Sequence, residues 1–350
     1  MKKFMLFAAM ASVVLTSCVN EDMEVMESAS KKAISFDMPV MKPTRAAGEI
    51  DGAIYPTGET FKVFCKSYTG AYTGWTAGAD YFATAGEDVA YNGSKWSTAT
   101  VHYWPELGNK LAFAAYSPAT ASGTIAQTNT GLTITGFSTE DDVANQYDLM
   151  YTPRVVDLDK NDASDDVPLA FKHALTSVVF KATKTDADAT YTIKSLTVKG
   201  LVSTTGDFNQ NIPNAADTDG TATWKNLTTA TDKTYSILSA TTIDVAQAGT
   251  NLTGVGSTAG AATALLLIPQ GVDANTTVTI TYTKTTGGNS LDAEATIELN
   301  DFLDGTSAPV TTWAMAHRYV YNIIFGANKP IYFAPTVADW TDVPLSYTIE

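Results

Sequence analysis

Apolar residues recur at every second position through most of this chain, a period that admits β-strands and excludes amphipathic helices. Ala293, Ala295, Ile297 and Leu299 alternate with Glu294, Thr296 and Glu298; Val278, Ile280 and Tyr282 alternate with threonines; Tyr319, Tyr321, Ile323 and Phe325 share one face. Such segments read as half-buried antiparallel strands. From Lys31 onward no stretch sustains a 3.6-residue period. Asn92-Gly93, between Val89-Ala90-Tyr91 and Lys95-Trp96, predicts a hairpin because both residues tolerate positive φ in a tight turn. Many short strands separated by Gly, Asn, Asp and Pro predict an all-β fold of antiparallel sandwiches. Residues 211–260, rich in Thr, Ala, Gly and Asp, are expected to be long surface loops with short strands between them.

The first residues follow a different rule. Lys2 and Lys3 precede an apolar run over 4–15, and Leu15-Thr16-Ser17-Cys18 closes it. The run is too short for an ordinary membrane span and fits a secretory signal. A Cys at the cut is the mark of a bacterial lipoprotein signal, in which the thiol takes a diacylglycerol and Cys18 becomes the first residue of the mature chain. The signal peptide is therefore expected over 1–17 and an acidic tether over 18–30. Val19-Asn20-Glu21-Asp22 reads either as an export signal to the outer face of the outer membrane or as a solvated tether.

The chain's 350 residues suffice for two domains with cores of their own. A polar, acidic stretch at 157–166 is the expected boundary, giving an N-terminal domain over 31–166 and a C-terminal domain over 167–350. A net charge of −15 argues against a nucleic-acid partner, since neutralising phosphates needs a basic patch. Of two Cys, lipid would consume Cys18 and leave Cys65 in the alternating run Phe61-Lys62-Val63-Phe64-Cys65, where it reads as a small apolar residue.

Residues that could carry chemistry are sparse, and no cofactor, metal site or catalytic residue is expected. Asp157, Asp159 and Asn161 begin like a calcium loop, but Asp162 stands where the turn needs Gly and Pro168 where a bidentate Glu belongs. The three histidines, His102, His173 and His317, are far apart and lack ligand spacing. His173 alternates with Leu169, Phe171 and Leu175 and is expected to be hydrogen-bonded at a buried surface. Glu106, Glu294 and Glu298 are the candidates for glycosidase carboxylates, and solvation explains the last two. Trp75, Tyr68, Tyr72 and Tyr81 would suit sugar stacking if exposed, although core packing explains them better.

The two ends of the mature chain share one template. Ile34, Phe36, Met38 and Val40 alternate with Ser35, Asp37 and Pro39, defining a first strand over 33–41. Val343, Leu345, Tyr347 and Ile349 alternate with Pro344, Ser346, Thr348 and Glu350 over 343–350. A proline in each favours an edge position. Four apolar side chains at about 1.5–3 kcal/mol each make a strand worth roughly 6–12 kcal/mol when buried, comparable to the roughly 5–15 kcal/mol that holds a domain folded. Thr44-Arg45-Ala46-Ala47 offers an Arg-specific protease a site just after the first strand. A cut there would open a groove that a terminal strand from another copy has the pattern to fill.

With these segments in hand, the chain resembles the fimbrillin family, the subunits of type V pili. The resemblance rests on Ile34-Ser35-Phe36 followed by Thr44-Arg45-Ala46, on Tyr103-Trp104-Pro105 with Phe113-Ala114-Ala115-Tyr116-Ser117-Pro118, and on Leu169-Ala170-Phe171-Lys172-His173-Ala174. Leu266-Leu267-Ile268-Pro269-Gln270 and Val337-Ala338-Asp339-Trp340 complete it. The resemblance implies two transthyretin-like β-sandwich domains in tandem, no enzymatic activity and assembly by donor-strand exchange. It makes Cys18 the lipid site, Arg45 and Ala46 the cleavage site, the Ile34/Phe36/Met38/Val40 strand the removed one, and the Val343/Leu345/Tyr347/Ile349 strand the donor. Implied partners are other fimbrial subunits, a host or bacterial surface ligand, and the outer membrane through lipid on the precursor. Having both a cut site and a donor end favours a stalk or polymerising tip-proximal subunit. A glycan-binding or adhesin lipoprotein at the cell surface that does not polymerise is the alternative.

Overall fold

The computed structural model describes residues 31–37, 40–41, 55–161, 166–212, 220–238, 243–252, 264–302, 308–326 and 332–333. Among these the fold is all-β, with short 3-10 turns such as Trp75–Ala77 and no α-helix. The alternation read in the sequence sets the register. Thr277–Thr286 pairs antiparallel with Asn289–Glu298 so that Val278 faces Ile297, Ile280 faces Ala295 and Tyr282 faces Ala293, placing the apolar partners on one side. The expected hairpin joins Glu87–Tyr91 to Trp96–Thr98. Positive φ falls on Gly93 alone, at +96°, while the Asn92 side chain accepts from the amides of Ser94 and Lys95 at 3.0 and 2.9 Å.

Three sheets carry most of the structure. The first is ten-stranded and runs from Val167–Pro168 through Phe36–Asp37, Trp96–Thr98, Glu87–Tyr91, Phe61–Thr69, Asn109–Ser117 and Met150–Tyr151 to Lys172–His173. Its two ends lie on one short segment, 167–173, so the sheet wraps around its own core. That core is aromatic, with Phe36, Phe61, Trp96, Trp104 and Phe113 buried together and Phe171 of the closing segment stacked 5.5 Å from Tyr55. The second sheet is built on Ala189–Asn211, which pairs with Gly131–Ser138, Thr277–Thr286 and Thr221–Leu238. The third is built on Thr176–Lys184.

Strand pairing crosses the expected boundary at 166/167. Val167–Pro168 and Lys172–His173 belong to the first sheet, and Gly131–Ser138 joins the second through Ile134 opposite Phe208. A central apolar cluster accordingly draws on both halves, with Phe64, Tyr116, Ile134 and Phe137 against Phe208, Leu266, Ile268 and Val320.

Two expectations need correction. Pairing is not wholly antiparallel, because Thr176–Lys184 runs parallel to Arg318–Phe325 over their full overlap, Ser177 to Lys184 against Arg318 to Phe325. Parallel neighbours need a long crossover, and the chain between them supplies one by building the second sheet. Nor are the strands within 211–260 all short: Thr221–Leu238 is an 18-residue strand laid along the 23-residue strand Ala189–Asn211. Threonine suits a strand as well as a loop, and from Thr221 to Thr228 only Ala222 and Trp224 turn inward, so the apolar alternation is brief.

Gly200 shows where the long strand has no tolerance. Its φ is +83°, and an added Cβ would lie 1.8 Å from the Asn275 carbonyl oxygen. Gly93 has a similar φ of +96° but open space around it. Gly200→Ala is expected to cost about 2–4 kcal/mol from left-handed strain plus backbone displacement. Gly93→Ala should cost only the strain, about 1–2 kcal/mol. Urea denaturation of the two variants checks the difference.

Candidate functional site

The first strand is held on both flanks. On one side Ile34 N donates to His102 O at 2.8 Å, Trp104 N donates to Lys32 O at 3.0 Å, Ala33 bridges Tyr103, and Phe36 pairs antiparallel with Trp96. On the other, Phe36–Asp37 runs parallel to Val167–Pro168, with Val167 N donating to Ser35 O at 2.8 Å. The edge position expected from Pro39 is therefore not where this strand sits. Its pairing is made by residues 32–37, ahead of that proline, and the neighbour that ends the sheet carries Pro168.

Alternation then sends two side chains inward. Ile34 and Phe36 are 4% and 2% exposed. The Phe36 ring meets Phe61 and Phe113 edge-on, at 6.0 and 5.9 Å between centroids. Burying these two side chains is worth about 3–6 kcal/mol by area, with edge-to-face ring pairs adding about 0.5–1.5 kcal/mol each.

The opposite face of the strand carries a polar clamp. Ser35 Oγ donates to Asp166 Oδ1; Lys95 Nζ donates to the same oxygen at 2.7 Å and lies 3.4 Å from Ser35 Oγ. Burial alone would raise the Asp166 carboxyl, but hydrogen bonds from Lys95 and Ser35 and the charges of Lys95 and Lys32 hold it below the ordinary value. Sequence reasoning placed Asp166 in a linker. No local signal could have joined it to Ser35, from which it is separated by 131 positions.

Other sequence-predicted residues distribute as follows. Cys18, Met38, Arg45, Ala46, Val343, Leu345, Tyr347 and Ile349 lie outside the described residues. Val40–Met41 forms a short parallel pair with Tyr55–Pro56, a two-stranded sheet separate from the first.

The aromatic group proposed for sugar stacking is half core, with Tyr68 and Tyr81 only partly buried against it. Trp75 and Tyr72 are buried, and the Arg154 guanidinium, itself 2% exposed, lies 5.3 Å above the Trp75 ring. Arg154 donates to Tyr72 Oη at 3.2 Å, to Asn129 O at 2.9 Å and to Thr128 O, so carbonyl oxygens and aromatic rings surround its charge. Tyr68 Oη accepts from Asp157 N at 2.6 Å and Tyr81 Oη donates to Tyr103 O at 2.5 Å.

The polar candidates are likewise accounted for by local partners. His173 Nδ1 is 2.8 Å from Asp148 Oδ2 in a half-buried pair. His102 contacts both Glu87 carboxylate oxygens, at 2.8 and 2.9 Å, and lies 4.2 Å from the Phe82 ring. His317 Nδ1 is 2.7 Å from Met315 O. Glu294 and Glu298 lie on the exposed face of their strand, and Glu106 is exposed and reaches Lys160 at 3.1 Å. Asp157 pairs with Lys110 at 2.8 Å. Cys65 is buried, and burial pushes its thiol well up. Among the described residues no group of three His, Cys, Asp or Glu could hold a metal ion.

Three outcomes follow for this region. Phe36→Ala should cost about 3–5 kcal/mol and Asp37→Ala, at an exposed position, under about 0.5 kcal/mol, read by urea denaturation. Trp75→Ala should also cost about 3–5 kcal/mol through lost packing. Because the Asp166 carboxyl is held below its ordinary value, its clamp is in place at neutral pH and is lost as pH falls through the folded value in the acid range. The protection factor of the Ile34 amide, its exchange rate corrected for the intrinsic pH dependence, should therefore fall as the Asp166 carboxyl protonates in the acid range, and Asp166→Asn should remove that part of the pH dependence.

A family model described as fimbrillin-like matches residues 44–340. Among solved structures, a fimbrial protein from Bacteroides vulgatus aligns with a TM-score of 0.58 at 15% identity, over 89% of this chain and 100% of that one. A proposed cell adhesion protein from Bacteroides uniformis aligns at 0.49 and 18% identity, over 90% and 99%. The first likeness speaks for a shared fold. No curated protein sequence matches the chain. Since the family model spans most of its length, the chain belongs to the fimbrillin-like family, whose members are fimbrial structural proteins and not enzymes.

Proposed function

We propose that this chain is a structural subunit of a fimbria at the cell surface, exported as a lipoprotein and assembled by donor-strand exchange. Lipid on Cys18 would carry the precursor to the outer membrane. Cleavage after Arg45 would then free the strand that carries Ile34 and Phe36, and the 343–350 strand of another copy, with Val343, Leu345, Tyr347 and Ile349 on one face, would take its place. The partners are other fimbrial subunits.

The observation that carries this reading is the seat of residues 34–37. A strand hydrogen-bonded on both sides and buried through Ile34 and Phe36 lies eight residues before Arg45, so a cut there would fall outside the residues that make its pairing. Its removal would expose the aromatic core to water and give up the roughly 3–6 kcal/mol of burial that Ile34 and Phe36 supply, a large share of what holds a small domain folded. A replacement strand is thereby favoured. Family membership supports the same reading, as does the fold shared with a fimbrial protein. The alternative of a glycan-binding lipoprotein loses its main motive, because Trp75 and Tyr72 are buried beneath Arg154.

Treating the purified full-length chain with an Arg-specific protease tests the proposal. Mass spectrometry should find a new N-terminus at Ala46, and size-exclusion chromatography should show multimers that Arg45→Ala does not form. A cut product that stays monomeric would overturn it.

A further inference from the structure

The seat of the first strand makes three distinguishable demands on its occupant. Opposite Ile34 it offers an aliphatic position, and opposite Phe36 a slot edge-on to Phe61 and Phe113 that suits a ring. Between them, on the other face, Lys95 and Asp166 converge on the Ser35 hydroxyl. A hydroxyl satisfies that pair because it can donate to the carboxylate while accepting from the ammonium. The flanks also differ: one is met antiparallel at Trp96 and Tyr103, the other parallel at Val167. Direction is thus part of what the seat recognises.

Three triplets from the C-terminal template can be laid over Ile34-Ser35-Phe36. Val343-Pro344-Leu345 brings a proline to the clamp, with no hydroxyl for Asp166. Tyr347-Thr348-Ile349, run in the same direction, puts a ring in the aliphatic position and leaves the slot beside Phe61 and Phe113 without one. Leu345-Ser346-Tyr347 reproduces aliphatic, hydroxyl and aromatic in the same order.

We propose that the seat selects an aliphatic–hydroxyl–aromatic triplet, and that Leu345-Ser346-Tyr347 of a second copy fills it in the direction of Ile34-Ser35-Phe36, with Ser346 held by Lys95 and Asp166. This rests on the strand-exchange reading and adds its register, its direction and the residues that set specificity. The reversed alternative would place Thr348 at the clamp with Ile349 in the aliphatic position. The two directions leave different residues opposite Tyr103, which faces Ala33 in the present structure. Pro344 stands there in the proposed direction and Glu350 in the reversed one.

Cysteine trapping after Arg-specific cleavage of the full-length chain separates them. Tyr103→Cys combined with Pro344→Cys should give disulfide-linked multimers under oxidation, and Tyr103→Cys combined with Glu350→Cys should not. In the otherwise unaltered protein, Ser346→Ala should slow assembly by about five- to tenfold, the effect of losing one charge-assisted hydrogen bond at a partly exposed site. Ser346→Thr should restore most of the rate and Thr348→Ala should leave it unchanged. Ser346→Ala with Asp166→Asn should be no slower than the slower single variant. If the parent assembles but only the Glu350 pair is trapped, or Ser346→Ala and Thr348→Ala behave alike, the register is overturned and strand exchange stands. If the cut parent neither assembles nor binds an added peptide of residues 341–350, both are overturned.

Discussion

Closure of the first sheet around its aromatic core depends on one short strand. Residues 34–37 supply hydrogen bonds to Trp96–Thr98 on one flank and to Val167–Pro168 on the other, and they deliver Phe36 between Phe61 and Phe113. Without them the sheet would have two new edges and an open hydrophobic slot at the same place. Unpaired backbone and uncovered apolar surface are separately unfavourable in water. Here they coincide, so both terms favour the strand that occupies the seat.

The seat also combines two kinds of recognition. Ile34 and Phe36 supply burial, which tolerates many apolar residues of suitable size. Ser35, Lys95 and Asp166 contribute little stability at this partly exposed position, where the Lys95 side chain is 50% exposed. Their value lies in discrimination, since a strand shifted by one residue would set an apolar side chain against an ion pair. Arg154 represents the opposite case. It is enclosed by Tyr72, Trp75 and the carbonyls of Thr128 and Asn129, and ties a loop and a hairpin turn together rather than selecting a partner.

Much of this architecture was legible because it is local. The alternation at Val278, Ile280 and Tyr282 dictates which face of Thr277–Thr286 meets Asn289–Glu298. Asn92-Gly93 marks its hairpin, and the inward positions of Ile34 and Phe36 follow from period two alone. What could not be read is set by distant partners. The parallel pairing of Thr176–Lys184 with Arg318–Phe325 depends on a crossover well over a hundred residues long. The Thr221–Leu238 strand is specified by its neighbour Ala189–Asn211 more than by its own weak apolar pattern. Asp166 has no sequence feature that distinguishes it from the solvated acids before it, because its role exists only where Ser35 and Lys95 are brought beside it.

A strand gripped along both flanks responds to tension differently from one at an edge. Force applied along its axis would be shared by the hydrogen bonds on both sides, which must slide together in shear; peeling would break them one after another. The buried Phe36 ring adds a steric stop, since sliding by two residues would drag it from its slot between Phe61 and Phe113. If subunits join by the strand exchange proposed above, each joint would act under tension as a latch rather than an adhesive patch.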